Sequence, residues 1–253
     1  MVERRTVLKG LAGLPLSVVL CNPDLARAAA SATSLVTIST KSGREVSGAL
    51  ALPAQTPAPV VLLVHEWWGL NDQIRAVAAE LADLGYVALA VDLFDGHVAT
   101  TPEAAKAQTQ AVDPKLASEI MAAWIDWARH DNHGNGKAAL MGWCFGGGWS
   151  LNGSVVAPVD ATVVYYGKCD LPADQLARLK GPVLGHFATR DKYIDKPMVG
   201  RFEAAMQQAG KPYQLHWYEA DHAFANPTGQ YYEKPEAQQA WDRTTAFLAA
   251  NLR

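Results

Sequence analysis

Charge and cysteine are both scarce in this sequence. Charged residues make up 19% of the 253 residues, and the formal net charge is −3. Because no excess or stripe of Lys and Arg is present, we expect no nucleic-acid partner. The chain has three cysteines, with no Cys-x-x-Cys pair and no Cys/His grouping at zinc spacing. The sequence therefore predicts neither a disulfide scaffold nor a metal site, and it implies no organic cofactor.

The N-terminal region has no apolar run long enough to cross a bilayer. Its apolar stretch, residues 10–20, is too short for that, and it follows the pair Arg4 and Arg5. An Ala-x-Ala cleavage pattern stands at residues 26–28. This order resembles a twin-arginine export signal over residues 1–28, with an ordinary N-terminal anchor or tail as the alternative. We expect an exported protein, periplasmic or secreted, without stable membrane insertion after the signal is removed.

The rest of the chain alternates between apolar runs and amphipathic segments. Strands are predicted at residues 34–40, 45–52, 60–65, 86–91, 138–141, 162–166, 183–188 and 214–218. Helices are predicted at 73–84, 102–110, 115–129, from 145 onward, 196–209 and 235–252. This alternation predicts an α/β fold with a mostly parallel sheet of about seven to eight strands and helices on both faces. We expect residues 34–253 to form a single domain, and the protein to be a monomer.

Residues 141–148 place Cys144 at a sharp turn between a strand and a helix. They read Met-Gly-Trp-Cys-Phe-Gly-Gly-Gly, with Cys where the Gly-x-Ser-x-Gly elbow of serine hydrolases has its Ser. The glycines allow a tight turn and a close approach of strand and helix. Backbone N–H groups and the dipole at a helix N-terminus favour a thiolate. Cys144 is therefore the predicted nucleophile.

A nucleophile elbow requires a carboxylate and then a histidine later in the chain. Three histidines follow the elbow. His186 and His216 lie within predicted strands, where a structural role is expected. His222 lies in a loop before the last helix and is the candidate base. Asp191 lies in the loop after the preceding strand, from which it can orient the imidazole, and Asp195 is the alternative acid.

The segment 65–71 follows a buried strand and precedes a helix, which is the position of the oxyanion loop in this architecture. It nominates the backbone N–H groups of Trp67 and Phe145 as oxyanion donors. Glu66 lies in the same loop, where a carboxylate needs a partner. It either accepts the thiol proton or is a structural carboxylate bonded to an arginine. Candidates to line the substrate pocket are Trp68, His97, Phe224 and Asn226.

Five segments resemble the dienelactone hydrolase family of the α/β-hydrolase fold. They are VLLVHEWWGLN at 61–71, GYVALAVDLFDG at 85–96, GWCFGG at 142–147, ATVVYYG at 161–167 and DHAFAN at 221–226. The resemblance implies an α/β-hydrolase fold and a triad of Cys144, Asp191 and His222, with Glu66 as a further participant. In this family the resting thiol pairs with the glutamate. Substrate binding shifts the glutamate, and the freed thiolate attacks a lactone carbonyl.

The implied function is hydrolysis of a lactone or activated ester through an acyl-thioester, as in a carboxymethylenebutenolidase. The best-known members bind the substrate carboxylate with two arginines, where this chain has residues 95–97 and Asn226. The two arginines therefore do not carry over to this chain, and the resemblance leaves open whether a substrate carboxylate is recognised. One alternative is a degenerate α/β-hydrolase that binds a small molecule. Another is a thiol redox protein, which needs Cys144 and Cys169 within disulfide distance. We expect both thiols to be free.

Overall fold

The core of the molecule is one sheet, seen in a computed structural model that describes residues 16–253. Its strands are β1 (Ser34–Ser39), β2 (Glu45–Ala51), β3 (Ala58–Val64), β4 (Val87–Val91), β5 (Gly134–Trp143), β6 (Ala161–Tyr165), β7 (Val183–Ala188) and β8 (Tyr213–Tyr218). The eight strands lie in the order β1-β2-β4-β3-β5-β6-β7-β8. The pairs β1–β2 and β2–β4 are antiparallel, and all the other pairs are parallel.

Helices cover both faces of this sheet. They are α1 (Leu16–Cys21), α2 (Pro23–Ala30), α3 (Asp72–Asp83), α4 (Pro102–Gln110), α5 (Pro114–His130), α6 (Phe145–Val156), α7 (Ala173–Leu176), α8 (Lys196–Gln208) and α9 (Lys234–Leu252). Successive residues of β3 point to opposite faces. Val61 and Leu63 pack with α3 and α9, whereas Val60 and Leu62 pack with α5. The predicted α/β fold, with its mostly parallel sheet, is confirmed.

Two short helices near the N-terminus pack against the domain. Val19 and Leu20 of α1 are buried, and α2 buries three alanines. The Arg4 and Arg5 pair lies outside the described residues, so the export signal stays a prediction. Within residues 16–253, every helix is too short or too polar to traverse a bilayer.

Candidate active site

Cys144 lies in the turn between β5 and α6, with φ 52° and ψ −115°. This is a strained conformation for a residue other than glycine. The turn is held against β6 because the Cys144 N–H donates to the Tyr165 carbonyl at 3.0 Å. It also depends on a neighbouring glycine, since a Cβ on Gly146 would lie 2.1 Å from the Val64 carbonyl oxygen. The tight turn therefore depends on close contact between the backbones of β3 and α6 beside the thiol.

Cys144, His222 and Asp191 form a hydrogen-bonded chain at the carboxyl ends of the strands. The His222 Nε2 atom lies 3.1 Å from the Cys144 Sγ atom. The His222 Nδ1 atom lies 2.6 Å from the Asp191 Oδ2 atom. Because a carboxylate only accepts hydrogen bonds, Nδ1 carries a hydrogen and donates a hydrogen bond to Asp191. The structure thus brings together the three residues that the sequence selected from separate loops.

The carboxylate of Asp191 is fixed in direction by the loop that carries it. Its Oδ1 atom accepts from the backbone N–H groups of Tyr193 at 2.8 Å and Ile194 at 3.0 Å. The side chain has no exposed surface. Asp195, the alternative acid, instead caps α8 by accepting from the Met198 N–H at 2.8 Å. The geometry therefore gives the two aspartates different tasks.

The surroundings of His222 favour its protonated form. Burial is the largest single influence on its pKa and lowers it. The hydrogen bonds and charges of Asp191 and Cys144 together outweigh burial and raise the pKa of His222 from 6.5 to about 10. The imidazole side chain is 16% exposed, so water screens these interactions only in part. The site is therefore built to hold a proton on His222.

Glu66 is buried beside the triad and is not paired with the thiol. The Tyr166 hydroxyl donates to one carboxylate oxygen at 3.3 Å, and the Asn226 amide donates to the other. Within residues 16–253, Glu66 makes no hydrogen bond to Cys144. The resting pairing that the family resemblance implies is therefore not found here, because both oxygens of Glu66 are occupied and the sulfur is paired with His222. Its partners are a phenol and an amide, not an arginine.

The ionisation of Glu66 is unfavourable in this position. Burial raises the pKa of the carboxyl group. The hydrogen bond from Asn226, the charge of His222 and the hydrogen bond from Tyr166 oppose this rise in that order, without cancelling it. The ionisation of Glu66 consequently depends on Asn226, His222 and Tyr166.

The pocket candidates occupy different places around the site. Trp67 and Trp68 are half-buried, with ring centroids 5.0 Å apart. Phe224 is fully buried, and its ring lies 5.4 Å from that of Tyr166, so it packs behind the site. His97 is exposed, and its Nδ1 donates to the backbone carbonyl three residues earlier at 2.8 Å. Among the described residues, no hydrogen bond joins His97 to the triad.

Tyr166 is a site residue that the sequence did not predict. It follows β6 with φ 35°, a strained backbone position for a residue other than glycine. Its ring centroid lies 5.2 Å from that of His222, while its hydroxyl donates to Glu66. Burial raises the pKa of Tyr166 well above its ordinary value, so the hydroxyl remains a neutral donor. Its place at the end of the strand beside the elbow strand is the signal that could have found it.

The second thiol of the domain is chemically separate from the first. Cys144 and Cys169 are both free, and Cys169 is fully buried. Burial raises the pKa of Cys169 to about 12, so this thiol stays protonated. The absence of a disulfide between the two, both of which lie in the described part of the chain, gives no support to a thiol redox role.

The sheet is mostly parallel, and the sharp strand–turn–helix elbow at Cys144 is followed later in the chain by Asp191 and the loop histidine His222. This arrangement defines an α/β-hydrolase. A comparison with protein families identifies which kind of hydrolase it is. The dienelactone hydrolase family model matches residues 46–252, and the chain belongs to that family. The resemblance seen in the five sequence segments is therefore confirmed.

Individual relatives agree with this assignment. A carboxymethylenebutenolidase from Pseudomonas putida is 30% identical over 228 residues, covering 86% of this chain and 96% of that protein. A Klebsiella pneumoniae crystal structure described as a dienelactone hydrolase has a TM-score of 0.75 at 26% identity, covering 86% of this chain and 99% of the other. A dienelactone hydrolase-like promiscuous phosphotriesterase, P91, from metagenomic libraries shares the fold, with a TM-score of 0.80 at 21% identity, covering 88% and 100%.

Proposed function

We propose that this protein hydrolyses a lactone or an activated ester with Cys144 as its nucleophile. The observation that carries the proposal is the 3.1 Å contact between Cys144 Sγ and His222 Nε2, with Asp191 2.6 Å behind the imidazole. The name of the Pseudomonas putida relative, carboxymethylenebutenolidase, supports a cyclic ester as substrate. An intact nucleophile, base and acid in one chain favours an enzyme over a degenerate binding protein.

The reaction proceeds in two halves through an acyl-thioester. His222 takes the proton of Cys144, and the thiolate attacks the carbonyl carbon to form a C–S bond. The C–O bond of the ester then breaks, and the departing oxygen takes the proton from His222. In the second half, His222 removes a proton from water, which attacks the thioester carbonyl. The C–S bond breaks, the sulfur regains its proton, and the acid product leaves.

The negative charge on the carbonyl oxygen needs donors, which we assign to the backbone N–H groups of Trp67 and Phe145. Phe145 is the first residue of α6, where a backbone N–H has no partner inside the helix. Within the described part of the chain, neither N–H donates to a protein acceptor. Two such donors are worth about 2.7–4 kcal/mol each in the transition state.

A covalent intermediate provides the direct test of this function. Mixing the protein with excess para-nitrophenyl acetate is expected to release a burst of nitrophenolate and to add one acetyl group to the protein. Peptide mass spectrometry after acid quenching should place that group on Cys144, and hydroxylamine should remove it, since thioesters are cleaved by hydroxylamine. Pretreatment with iodoacetamide should abolish the burst. Turnover that continues at full rate after alkylation of Cys144 would reject the proposal.

Replacing Glu66 by Gln separates two roles for this carboxylate. Gln can keep one hydrogen bond to each partner, because its oxygen can accept from Asn226 and its amide nitrogen can donate to the Tyr166 hydroxyl oxygen. It can carry no negative charge beside the imidazolium of His222. We expect kcat/KM to fall about tenfold, which corresponds to a loss of about 1.4 kcal/mol of transition-state stabilisation. The basic limb of the pH–rate profile should move to lower pH for the same reason.

The same substitution at Glu80, a partly buried carboxylate near the end of α3, is the matched control and should leave kcat/KM unchanged. A loss of more than about 100-fold for the Glu66 variant, the scale of general-base catalysis, would instead show that Glu66 accepts the thiol proton.

We also propose export of the protein and a monomeric state. Export is supported by the Arg4 and Arg5 pair, the apolar stretch at 10–20 and the cleavage pattern at 26–28. The catalytic chain from Cys144 to Asp191 is complete within one copy of the chain, so catalysis requires no second subunit.

A further inference from the structure

His65 is a buried histidine at the carboxyl end of β3 that takes no part in the triad. Its side chain has no exposed surface. The backbone N–H of Leu93 donates to its Nε2 atom at 3.1 Å, so the ring proton must be on Nδ1. Nδ1 then donates to the carbonyl oxygen of Glu66 at 2.6 Å. The two bonds fix one tautomer and one orientation of the ring.

The carbonyl that His65 holds belongs to the peptide unit between Glu66 and Trp67. In a planar trans peptide the C=O and the N–H point in opposite directions. A donor that fixes the Glu66 carbonyl therefore also fixes the direction of the Trp67 N–H. The backbone N–H of Gly69 donates to the same oxygen at 3.2 Å. Donation to the carbonyl also polarises the amide, which makes its N–H a stronger donor.

His65 also touches the segment that carries the second oxyanion donor. Its ring stacks on that of Phe145, with centroids 6.0 Å apart and planes 16° apart. Its backbone oxygen lies so close to Gly146 that a Cβ there would be 2.4 Å away. The start of α6 is thus seated directly on His65. One residue contacts both halves of the oxyanion hole.

We propose that His65 is the positioning residue of the oxyanion hole. Its Nδ1–H orients and polarises the Glu66–Trp67 peptide, and its ring sets the place of Phe145. This role rests on the proposed function, because it requires an oxyanion to form at these two N–H groups. It assigns no proton transfer to His65, which stays neutral and buried throughout.

Two amide substitutions divide the hydrogen bonds of His65 between them. In His65→Asn the amide nitrogen takes the place of Nδ1, so donation to the Glu66 carbonyl is kept and acceptance from Leu93 is lost. In His65→Gln the amide oxygen takes the place of Nε2, so acceptance from Leu93 is kept and donation is lost. Both variants lose one buried hydrogen bond, and we expect similar falls in their melting temperatures.

Acylation and alkylation of Cys144 then give different readouts in these variants. Acylation by para-nitrophenyl acetate forms an oxyanion, whereas alkylation by iodoacetamide does not. We expect His65→Gln to slow the acylation burst about tenfold to 100-fold, because one oxyanion donor is worth about 100-fold to 1,000-fold and is misdirected but still present. His65→Asn should keep most of the acylation rate. Both variants should be alkylated at the wild-type rate.

Three results would overturn the assignment. One is a wild-type acylation rate in His65→Gln, and another is an equal loss of acylation and alkylation. The third, which decides the matter even if the Gln variant does not fold, is a selective loss of acylation in His65→Asn, which keeps the donor. A wild-type protein that is alkylated at Cys144 but never acylated would instead refute the proposed function.

Discussion

Replacing Cys144 by Ser is expected to lower kcat/KM for para-nitrophenyl acetate by at least about 100-fold, the scale of general-base effects. The serine hydroxyl has a far higher pKa than a thiol, and the imidazole that pairs with the sulfur at 3.1 Å would have to remove a much less acidic proton. Cys144→Ala, which has no nucleophile, should abolish turnover while the circular dichroism spectrum and melting curve stay close to those of the wild type.

The control for these variants is Cys169→Ala, which removes the other thiol of the domain. Cys169 is fully buried and stays protonated, so its loss should cost stability and leave kcat/KM unchanged. Near-wild-type activity of the Cys144→Ser variant would show that His222 activates a hydroxyl as readily as a thiol. Activity in Cys144→Ala would remove the nucleophile assignment altogether.

Asp191→Asn is expected to lower kcat by about 1,000-fold to 10,000-fold, as loss of the triad carboxylate does in serine proteases. An amide nitrogen facing Nδ1 would favour the tautomer with its proton on Nε2, which then points a hydrogen at the sulfur. The variant also lacks the charge that helps to raise the pKa of His222. The basic limb of its pH–rate profile should therefore lie at lower pH. Asp195→Asn, which keeps a helix-capping residue at α8, should retain wild-type activity.

Asp191→Asn also changes how the stability of the protein depends on pH. The folded pKa of His222, about 10, lies above the unfolded value of 6.5, so the native state binds more protons between these two values. Its contribution to stability is complete below the unfolded pKa and is lost as pH rises through the folded pKa. Urea unfolding should show this decline in the wild type and a flatter profile in Asp191→Asn. An unchanged slope would contradict the coupling.

Much of the fold follows from the sequence because its central strands are apolar on both faces. Strand β3 is buried along its whole length, and its Val/Leu run predicts it directly. Strand β5 begins at Gly134, four residues before the predicted start, because its first residues extend beyond the packed core. They carry Asn, Gly and Lys, which do not read as a strand. The four-residue helix α7 is too short for any periodicity to reveal.

The meeting of the main site residues was predictable, because it follows from the order of the strands along the chain. Cys144, Asp191 and His222 each follow a predicted strand, so their meeting is a consequence of parallel topology. The partners of Glu66 were not predictable, because contacts from Tyr166 and Asn226 join residues 100 and 160 positions apart and depend on side-chain directions in loops. Periodicity carries no information about such directions.

The steric demands at the elbow fall on the neighbours of the nucleophile more than on the nucleophile itself. Cys144 is partly exposed. Gly142 and Gly146, by contrast, face backbone atoms at distances that exclude even a methyl group. We expect an exchange of Cys144 for Ser to leave the path of the backbone unchanged, whereas neither Gly142 nor Gly146 could be replaced by a larger residue. The residue at position 144 can therefore change during evolution while Gly142 and Gly146 preserve the path of the backbone.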